Sequence, residues 1–387
     1  MTDRRALRVL RVLIDGYYID RPYGFGRYIR ELVHALDHSD ADVEPVLLVP
    51  DSAIPATKDL RGRVELITRR NVPFPVWEQV IVPWTAWRAS CSLIHFPYQS
   101  SALIWPTGAT VATIHDLMFL GPKSLASTPL ADYLAHVYRR TMFSLHTRRA
   151  RRTIAVSAAT QEDLLKSVGV PSTVVPNICD AFVTSQQSSA PAGSEGRFFL
   201  HRGQYPGTNK NTQRVIEAFA AVRRRHPDVR LMVYGTAPNE QMAVGPEGQG
   251  VSLLGKISDD RLAALYKSAV AIVAPSLVEG FGLSIIEGFG FGAPVITSAR
   301  PPMGEIAASA ALLVDPTSVQ QIGDAMLSVL EDGALRASLI RRGAERYQLF
   351  RPTNIANQIA AVYQGAPAVA PRGPHPQAAS EPTWIQQ

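Results

Sequence analysis

Short apolar runs alternate with amphipathic segments along most of the chain. Runs such as 8–15, 110–114 and 270–274 have the length and composition of buried strands, whereas 28–36 and 212–225 repeat apolar residues at helical spacing. Alternation of this kind is typical of parallel sheets with helices packed on both faces. The sequence therefore predicts an α/β fold, in which ligands bind at the carboxyl ends of the strands.

Residues 184–196 interrupt this alternation with a stretch rich in Ser, Ala and Gly, and the strand–helix pattern restarts after it. A chain of 387 residues also exceeds the usual size of a single core. We predict two doubly wound, Rossmann-like domains at 1–183 and 197–345, joined by the 184–196 linker. Residues 346–364 are predicted to form a helix that packs back towards the first domain, and the Pro- and Ala-rich residues 365–387 to be disordered.

Composition and charge narrow the possible partners. The net charge of +6 and the pI of about 9.4 favour phosphate-bearing partners. No apolar run reaches the ~18 residues of a membrane-spanning helix, and the first residues do not resemble a signal peptide. Cys91 and Cys179 are too few for a disulfide framework, so a cytoplasmic location is the default expectation.

Much of the positive charge lies between Arg139 and Arg152, in the residues before a predicted strand at 153–156. This segment is either the solvated face of a helix or a patch for an anionic membrane surface, which would make the protein peripheral on the inner face of the cytoplasmic membrane. The second interpretation rests on the apolar residues among the arginines: Tyr133, Leu134, Val137, Tyr138, Met142, Phe143 and Leu145. A nucleic-acid partner is not predicted, because the sequence shows neither a helix-turn-helix motif nor a basic segment rich in aromatic residues.

The stretch 274–287 carries the strongest site signal. A buried strand leads into Gly280-Phe281-Gly282, and a helix is predicted from Leu283 to residue 291. The first N–H groups of such a helix point outward, and the helix dipole adds partial positive charge, so the turn predicts an anion site. Glu279 lies just before the glycine turn, and Glu287 lies within the predicted helix.

Glu279 and Glu287 could instead form the acid/base pair of a glycosidase. On one continuous helix, eight residues would separate them by about 12 Å, more than the ~5–9.5 Å that glycosidases use. The glycine turn can alter that distance, so this alternative is disfavoured and stays open. Separate roles for the two carboxylates fit better. Glu287 could also be a helix residue that simply faces solvent.

The amino-terminal half offers two further candidates. Gly24 and Gly26 precede Arg27 in a loop that is no dinucleotide fingerprint, because Ile29 stands where the third glycine would be. This loop either lets backbone approach a ligand or is a flexible turn. His115 ends a predicted strand beside an aspartate, where it is either a site residue or a structural histidine.

Taken together, these motifs resemble the retaining GT-B glycosyltransferases of the family 4 type. The resemblance rests on Glu279-x7-Glu287 with Phe281-Gly282, on Gly24-Phe-Gly-Arg27-Tyr28, on the His115 strand end and on Lys210-Asn211. It implies a GT-B fold, in which two doubly wound Rossmann-like domains face each other across a cleft. The first domain would bind the acceptor, and the second domain would bind the sugar nucleotide. The resemblance covers residues 8–364.

The resemblance also implies roles for individual residues. Lys210 would bind the diphosphate together with the backbone N–H groups of Phe281, Gly282 and Leu283. Glu287 would accept hydrogen bonds from the ribose. Glu279 would meet the donor sugar and stabilise charge.

The resemblance also assigns roles to amino-terminal residues, and one position departs from the family pattern. His115 would hydrogen-bond the sugar from the other domain, and Gly24, Gly26 and Arg27 would close over the donor. The family usually has an arginine after the glycine that ends the first strand of the second domain. In this chain Arg202 precedes Gly203 instead, and we treat Arg202 as its substitute among the donor-binding residues.

The implied function is retaining transfer of a hexose, with mannose from GDP-mannose preferred, to a saccharide or lipid-linked acceptor in surface polysaccharide or glycolipid synthesis. Alternatives are a sugar-nucleotide epimerase of the same fold and a non-catalytic sugar-nucleotide-binding module. We expect no cofactor and no essential metal. The acidic pair Asp40 and Asp42 lies away from the predicted crevice and is interpreted as surface.

Overall fold

The computed structural model describes residues 9–21, 24–39, 41–58, 60, 62–103, 109–120, 130–147, 152–186, 195–203, 209–235 and 249–365. Within these ranges the chain forms two parallel sheets, each flanked by helices. The predicted α/β class with two Rossmann-like, GT-B-type domains is confirmed.

The first sheet has seven strands in the order β3-β2-β1-β4-β5-β6-β7. Its central strands consist mainly of apolar residues that are buried on both faces, as parallel strands require. The strands are β1 (Leu10–Asp15), β2 (Val43–Pro50), β3 (Glu65–Arg69), β4 (Leu93–Phe96), β5 (Ala109–Ile114), β6 (Arg152–Ala155) and β7 (Thr173–Val174).

The second sheet has six strands in the order β10-β9-β8-β11-β12-β13. In both sheets the order reverses beside the first strand of the domain, which is where doubly wound folds bind ligands. The strands are β8 (Phe198–Arg202), β9 (Arg230–Tyr234), β10 (Val251–Gly255), β11 (Ala271–Ala274), β12 (Val295–Ser298) and β13 (Leu312–Val314).

Helices cover both sheets, and their ends follow local sequence signals. Ser157, for example, accepts a hydrogen bond from the Thr160 N–H at the start of α5, and Gly169 ends that helix in the left-handed conformation. In the first half lie α1 (Phe25–Asp37), α2 (Phe74–Val76), α3 (Val82–Arg88), α4 (Leu130–Thr147), α5 (Ala158–Val168) and α6 (Ala181–Ser185). In the second half lie α7 (Thr212–Arg225), α8 (Asp259–Ser268), α9 (Leu283–Gly290), α10 (Met303–Ala307), α11 (Val319–Glu331), α12 (Gly333–Tyr347) and α13 (Pro352–Gln364).

The chain passes between the domains twice. Cys179, Phe182 and Val183 pack into the core of the second domain before the sequence of that domain begins. At the other end, α13 packs on α1 and joins the core of the first domain. Tyr363 of α13 also hydrogen-bonds His95 of β4, at 2.6 Å from Nδ1. Each domain is therefore completed by a segment from the other half of the sequence.

Several elements differ from the sequence-based predictions. The apolar, Trp-bearing residues 77–89 favour a helix in the sequence; the structure begins this helix earlier, at Phe74, and ends it at Arg88, with a π-helical turn at Trp77–Ile81 joining α2 and α3. The apolar residues expected among the arginines do not share one surface: Phe143 is fully buried against Phe119, so its assignment to a membrane patch was wrong. Residues 366–387, most of the 184–196 linker, Asp40 and 148–151 lie outside the described residues.

Candidate active site

The two domains meet where β5 ends in the first domain and α9 begins in the second. The Ser157 hydroxyl donates to the Gly280 carbonyl at 3.1 Å. The backbone N–H groups of Ala158 and Ala159, at the start of α5, bond the Glu305 carboxylate of the second domain at 2.9 and 3.3 Å. Helix α5 therefore uses its free N-terminal donors to bind the opposite domain.

Two glycines allow this close approach. A Cβ atom on Gly280 would lie 1.8 Å from the His115 carbonyl oxygen, so no side chain fits there. Gly282 caps α9 with a φ of 111°, a conformation that glycine adopts without steric cost. Gly280 therefore allows the close approach of the first domain, and Gly282 allows the chain to turn into α9.

The predicted catalytic residues Lys210 and Glu279 are in contact. The Lys210 ammonium lies 2.5 Å from Glu279 Oε1, and the Ser276 hydroxyl donates to the same oxygen at 2.7 Å. Burial alone would raise the pKa of Glu279, but Lys210 and Ser276 more than offset it, and the pKa is lowered. Glu279 is therefore held as a carboxylate beside the N-terminus of α9.

Asn211 fixes the position of Lys210. It adopts the left-handed conformation, with a φ of 61°, and its side-chain amide donates to the Pro275 and Pro316 carbonyls at 3.0 and 2.6 Å. The Leu277 N–H also bonds the Asn209 carbonyl at 2.8 Å. These bonds tie the loop that carries Lys210 to the loop that carries Glu279.

Glu287 is not a solvent-facing helix residue, because it is only 4% exposed. Its carboxylate accepts from the Tyr266 hydroxyl at 2.7 Å and forms an ion pair with Arg27 of the first domain. Arg27 also pairs with Asp259 at 3.1 Å and lies over the Phe182 ring. The pair links two positions 260 residues apart in the sequence and connects the two domains.

Several of the predicted donor-binding residues line one small cavity between the domains. It is lined by Gly24, Arg27, Arg202, Tyr234, Leu262, Leu283 and Glu287. Burial alone would lower the pKa of Arg202, but nearby groups, including Glu287 and Glu279, raise it, so Arg202 stays charged beside both carboxylates. Tyr234, Leu262, Tyr266 and Asp259 were missed in the sequence because nothing in their local pattern distinguishes them from core or surface residues.

The cavity measures about 10 Å³, which is room for about one water. Small-molecule sites usually occupy ~300–1,000 Å³. Among the residues that the structure describes, a nucleotide donor could reach Glu287 only after the Arg27 side chain moves or the domains separate.

His115 is half-buried in the first domain, and its backbone carbonyl oxygen faces Gly280 of the second domain. Its Nε2 donates to the Pro97 carbonyl at 3.1 Å, and its ring packs edge-on against Tyr28 and Phe25. Burial lowers the pKa of His115 to about 4, so the ring is neutral at pH 7. Since Nε2 carries the proton, Nδ1 is the nitrogen that can accept a hydrogen bond from a ligand hydroxyl.

The remaining predicted residues serve packing or lie at the edge of the site. A Cβ on Gly26 would lie 2.1 Å from the Arg21 carbonyl, so this glycine packs α1 against the preceding loop rather than lining the cavity. The Gly203 N–H bonds the Tyr234 carbonyl at the end of β8. The Phe281 side chain is buried and contacts Phe350, which leaves its backbone as the part that can face a ligand.

The parts of the chain that the structure describes contain no cluster of His, Cys, Asp or Glu suited to a metal ion. Within the same ranges, no helix has the length and apolarity needed to cross a membrane.

Two facing Rossmann-like domains, with a lysine and a glycine-started helix at the cleft, define a GT-B-type enzyme. Residues 22–181 match the model of Glycosyltransferase Family 4, and residues 184–346 match that of the Glycosyl transferases group 1. The two matches together span most of the chain. The protein belongs to the group 1, family 4 type of glycosyltransferases and is a glycosyltransferase.

Named relatives agree with this assignment. The chain is 26% identical to a phosphatidyl-myo-inositol mannosyltransferase of Mycolicibacterium smegmatis over 372 residues, covering 91% of this chain and 92% of the relative. It is 33% identical to the O-antigen chain mannosyltransferase B of Escherichia coli over 114 residues, 30% of each chain. The fold is shared with Anabaena HepE, solved with UDP-glucose, at a TM-score of 0.66 and 18% identity, over 92% of this chain and 99% of HepE.

Proposed function

We propose that this glycosyltransferase moves mannose from GDP-mannose, with retention of configuration, to a saccharide or lipid-linked saccharide in surface polysaccharide or glycolipid synthesis. The observation that carries the proposal is the ion pair of Lys210 and Glu279 beside the N-terminus of α9, one helical turn from the buried Glu287. The choice of mannose is supported by relatives that are named mannosyltransferases.

In the proposed reaction, the bond between the sugar C1 and the β-phosphate oxygen breaks, and a bond from C1 to an acceptor oxygen forms on the same face. The acceptor proton passes to the departing nucleoside diphosphate. Lys210 and the backbone N–H groups at the start of α9 stabilise the negative charge that develops on the diphosphate. Glu279 stabilises positive charge on the sugar ring, and His115 accepts a hydrogen bond from a sugar hydroxyl through Nδ1.

Donor binding involves an exchange of partners at Glu287. In the structure its carboxylate bonds Arg27 and Tyr266. We propose that the ribose hydroxyls replace Arg27 as donors to Glu287. The released guanidinium then turns to the diphosphate, for which its planar fork is suited.

A donor screen tests the proposal. Purified protein is incubated with GDP-, UDP- and ADP-sugars, with and without a panel of free and lipid-linked saccharides, and nucleoside diphosphate release is measured. We expect acceptor-dependent GDP release from GDP-mannose and an α-linked product by NMR. Preference for a UDP- or ADP-sugar would overturn the donor assignment, and a β-linked product would overturn retention.

We also propose that the first domain contacts an anionic membrane surface. Helix α4 exposes Leu130, Leu134, Val137 and Leu145 near Arg139 and Arg140. The neighbouring helical segment 74–88 contacts α4 through Tyr138, whose hydroxyl accepts a hydrogen bond from Gln79 and donates one to Glu78. This segment exposes an apolar stripe of Val76, Val80, Trp84 and Trp87. Exposed Trp, Leu and Arg side chains are the composition that interfacial helices present to lipid headgroups.

Vesicle co-sedimentation tests this membrane contact. The full chain should bind vesicles made strongly anionic with about 30–40% phosphatidylglycerol more tightly than vesicles of phosphatidylcholine alone. Trp84→Ser with Trp87→Ser should weaken the binding, whereas Lys166→Ser on α5 should not. Binding that is insensitive to anionic lipid would contradict the proposal.

A further inference from the structure

The Arg27 side chain is held on three sides in the closed cleft. Glu287 and Asp259 of the second domain form ion pairs with its guanidinium, and its Cζ lies 4.1 Å from the centroid of the Phe182 ring. The face of an aromatic ring attracts a cation, and the attraction is greater where water is excluded. Because the Arg27 side chain is only 4% exposed, the Phe182 ring acts on a cation that water hardly reaches.

A buried carboxylate fixes Phe182 in this place. Glu31 lies one helical turn after Arg27 on α1 and is 1% exposed. Its carboxylate accepts hydrogen bonds from the backbone N–H groups of Asp180, Ala181 and Phe182 at 2.9, 2.8 and 3.1 Å. Hydrogen bonds to an ionised acceptor are among the stronger ones in proteins. Helix α1 therefore carries both the cation and the anchor of the ring that the cation lies on.

Aromatic contacts connect Phe182 to Glu287 by a second route. The Phe182 ring meets Phe291 edge-on at 5.2 Å, and Phe291 stacks on Tyr266 at 5.4 Å. The Tyr266 hydroxyl donates to Glu287 Oε2, whereas Arg27 bonds Oε1. Both members of the ion pair are therefore positioned by the same aromatic core.

The held arginine competes with a donor for Glu287. The cavity beside the pair measures about 10 Å³, so a ribose and the Arg27 guanidinium do not fit there together. When a ligand binds only the molecules in which such a group is released, its apparent affinity is reduced by the fraction of released molecules. Any contact that favours the held arginine therefore weakens donor binding.

We infer that Phe182 and Asp259 are positioning residues that hold Arg27 on Glu287 in the donor-free enzyme, and that they thereby set the affinity for a nucleoside diphosphate. The inference rests on the exchange of partners proposed at Glu287. Both residues act on the donor through Arg27. The groups that compete with Arg27 are the ribose and the diphosphate, which GDP-, UDP- and ADP-sugars share.

Calorimetry with GDP on the full chain tests this inference, because the loss of either contact should tighten binding. We expect Phe182→Leu to bind GDP about fivefold more tightly than the wild type, since leucine is apolar but has no aromatic face. Asp259→Asn should gain about threefold, because an ion pair with a half-exposed carboxylate contributes less. The KM for GDP-mannose should fall together with the Kd in both variants.

Asp260→Asn is the matched control. Asp260 is the exposed neighbour of Asp259 in the first turn of α8, so its replacement removes the same charge from the same part of the helix. Its affinity for GDP should equal that of the wild type. An equal gain in Asp260→Asn would assign the effect to net charge and overturn the inference.

The melting temperature separates positioning from a purely structural role. Phe182 belongs to the core of the second domain, so Phe182→Leu should lower the melting temperature. Damage to the fold alone weakens nucleotide binding, whereas the inference requires a less stable protein that binds GDP more tightly. Asp259→Asn changes a half-exposed side chain and tests the same point without a change in the core.

The outcomes also separate this inference from the proposed function. Unchanged or weaker GDP binding by Asp259→Asn, or by folded Phe182→Leu, would overturn the inference, while transfer from GDP-mannose by the wild type would leave the proposed function standing. If the wild type binds UDP and not GDP, the donor assignment fails, and the same variants are measured with UDP. Tighter UDP binding would then support the positioning roles, and unchanged UDP binding would overturn them.

Discussion

At the scale of single residues, Lys210 is the cation to which we assign stabilisation of the developing diphosphate charge. Replacing it by Ala should lower kcat by about 10²–10³-fold, because one preorganised donor to the developing charge is lost. Donor affinity should fall less than kcat. Steady-state kinetics with GDP-mannose measure the effect, and Lys166→Ala, an exposed lysine of α5, is the control. An unchanged kcat would remove Lys210 from the site.

Asp15 allows a prediction about pH and stability. Burial raises the pKa of Asp15 to about 7, despite hydrogen bonds from Tyr98, Trp77 and the Tyr17 N–H that lower it. Because the folded pKa lies above the unfolded value of 3.8, the folded state holds the proton more tightly, and stability from this group is lost as pH rises from about 4 to 7. The loss has a slope of about 1.4 kcal/mol per pH unit.

Asp15→Asn isolates this effect, because the amide keeps one acceptor for Trp77 and does not titrate. Urea unfolding of both proteins between pH 4.5 and pH 8 should show the wild type losing stability relative to the variant up to about pH 7 and then levelling off. A difference that stays constant across this range would contradict the raised pKa.

At the scale of elements, the turn into α9 depends on Gly280. Gly280→Ala would place a methyl group 1.8 Å from the His115 carbonyl, so the loop or the domains must shift. A displacement of about 1 Å can reduce the rate by about 10²-fold. We therefore expect a loss of kcat of that order together with a lower melting temperature, because the overlap is with backbone and no side-chain rotation relieves it.

Gly333→Ala is the matched control, since a Cβ at the start of α12 meets no atom within 4 Å. Activity of Gly280→Ala within a few-fold of the wild type would mean that the contact between Gly280 and His115 is not needed for transfer.

At the scale of the whole molecule, the pair of Arg27 and Glu287 joins the domains through two side chains of about 5% exposure. Arg27→Ala would leave a buried carboxylate without its cation, which typically costs about 3–5 kcal/mol. We expect a lower melting temperature and a larger radius of gyration in solution scattering, because the closed cleft is weakened. Arg63→Ala, whose contacts lie within the first domain, should change neither quantity.

Partial recovery of both quantities on adding GDP would support the exchange proposed at Glu287. An unchanged radius and melting temperature in Arg27→Ala would show that this pair does not hold the cleft closed.

The sequence alone determined the order of strands and helices, the α/β class and the glycine turn before α9. These properties follow from local periodicity, cap residues and backbone sterics, which act over a few residues. Resemblance of short motifs then singled out Lys210, Glu279 and Glu287, and the structure brings Lys210 and Glu279 into contact.

The tertiary structure alone decided which residues meet across the cleft. Arg27 pairs with Glu287 over 260 positions, and a cavity in the first domain is lined by residues from separate segments between Tyr18 and Arg139. Such contacts depend on how the sheets, helices and domains pack, since burial changes a side chain's charge partners and pKa in ways that no local pattern records. The glycine turn could therefore be found in the sequence, whereas its partners could be found only in the fold.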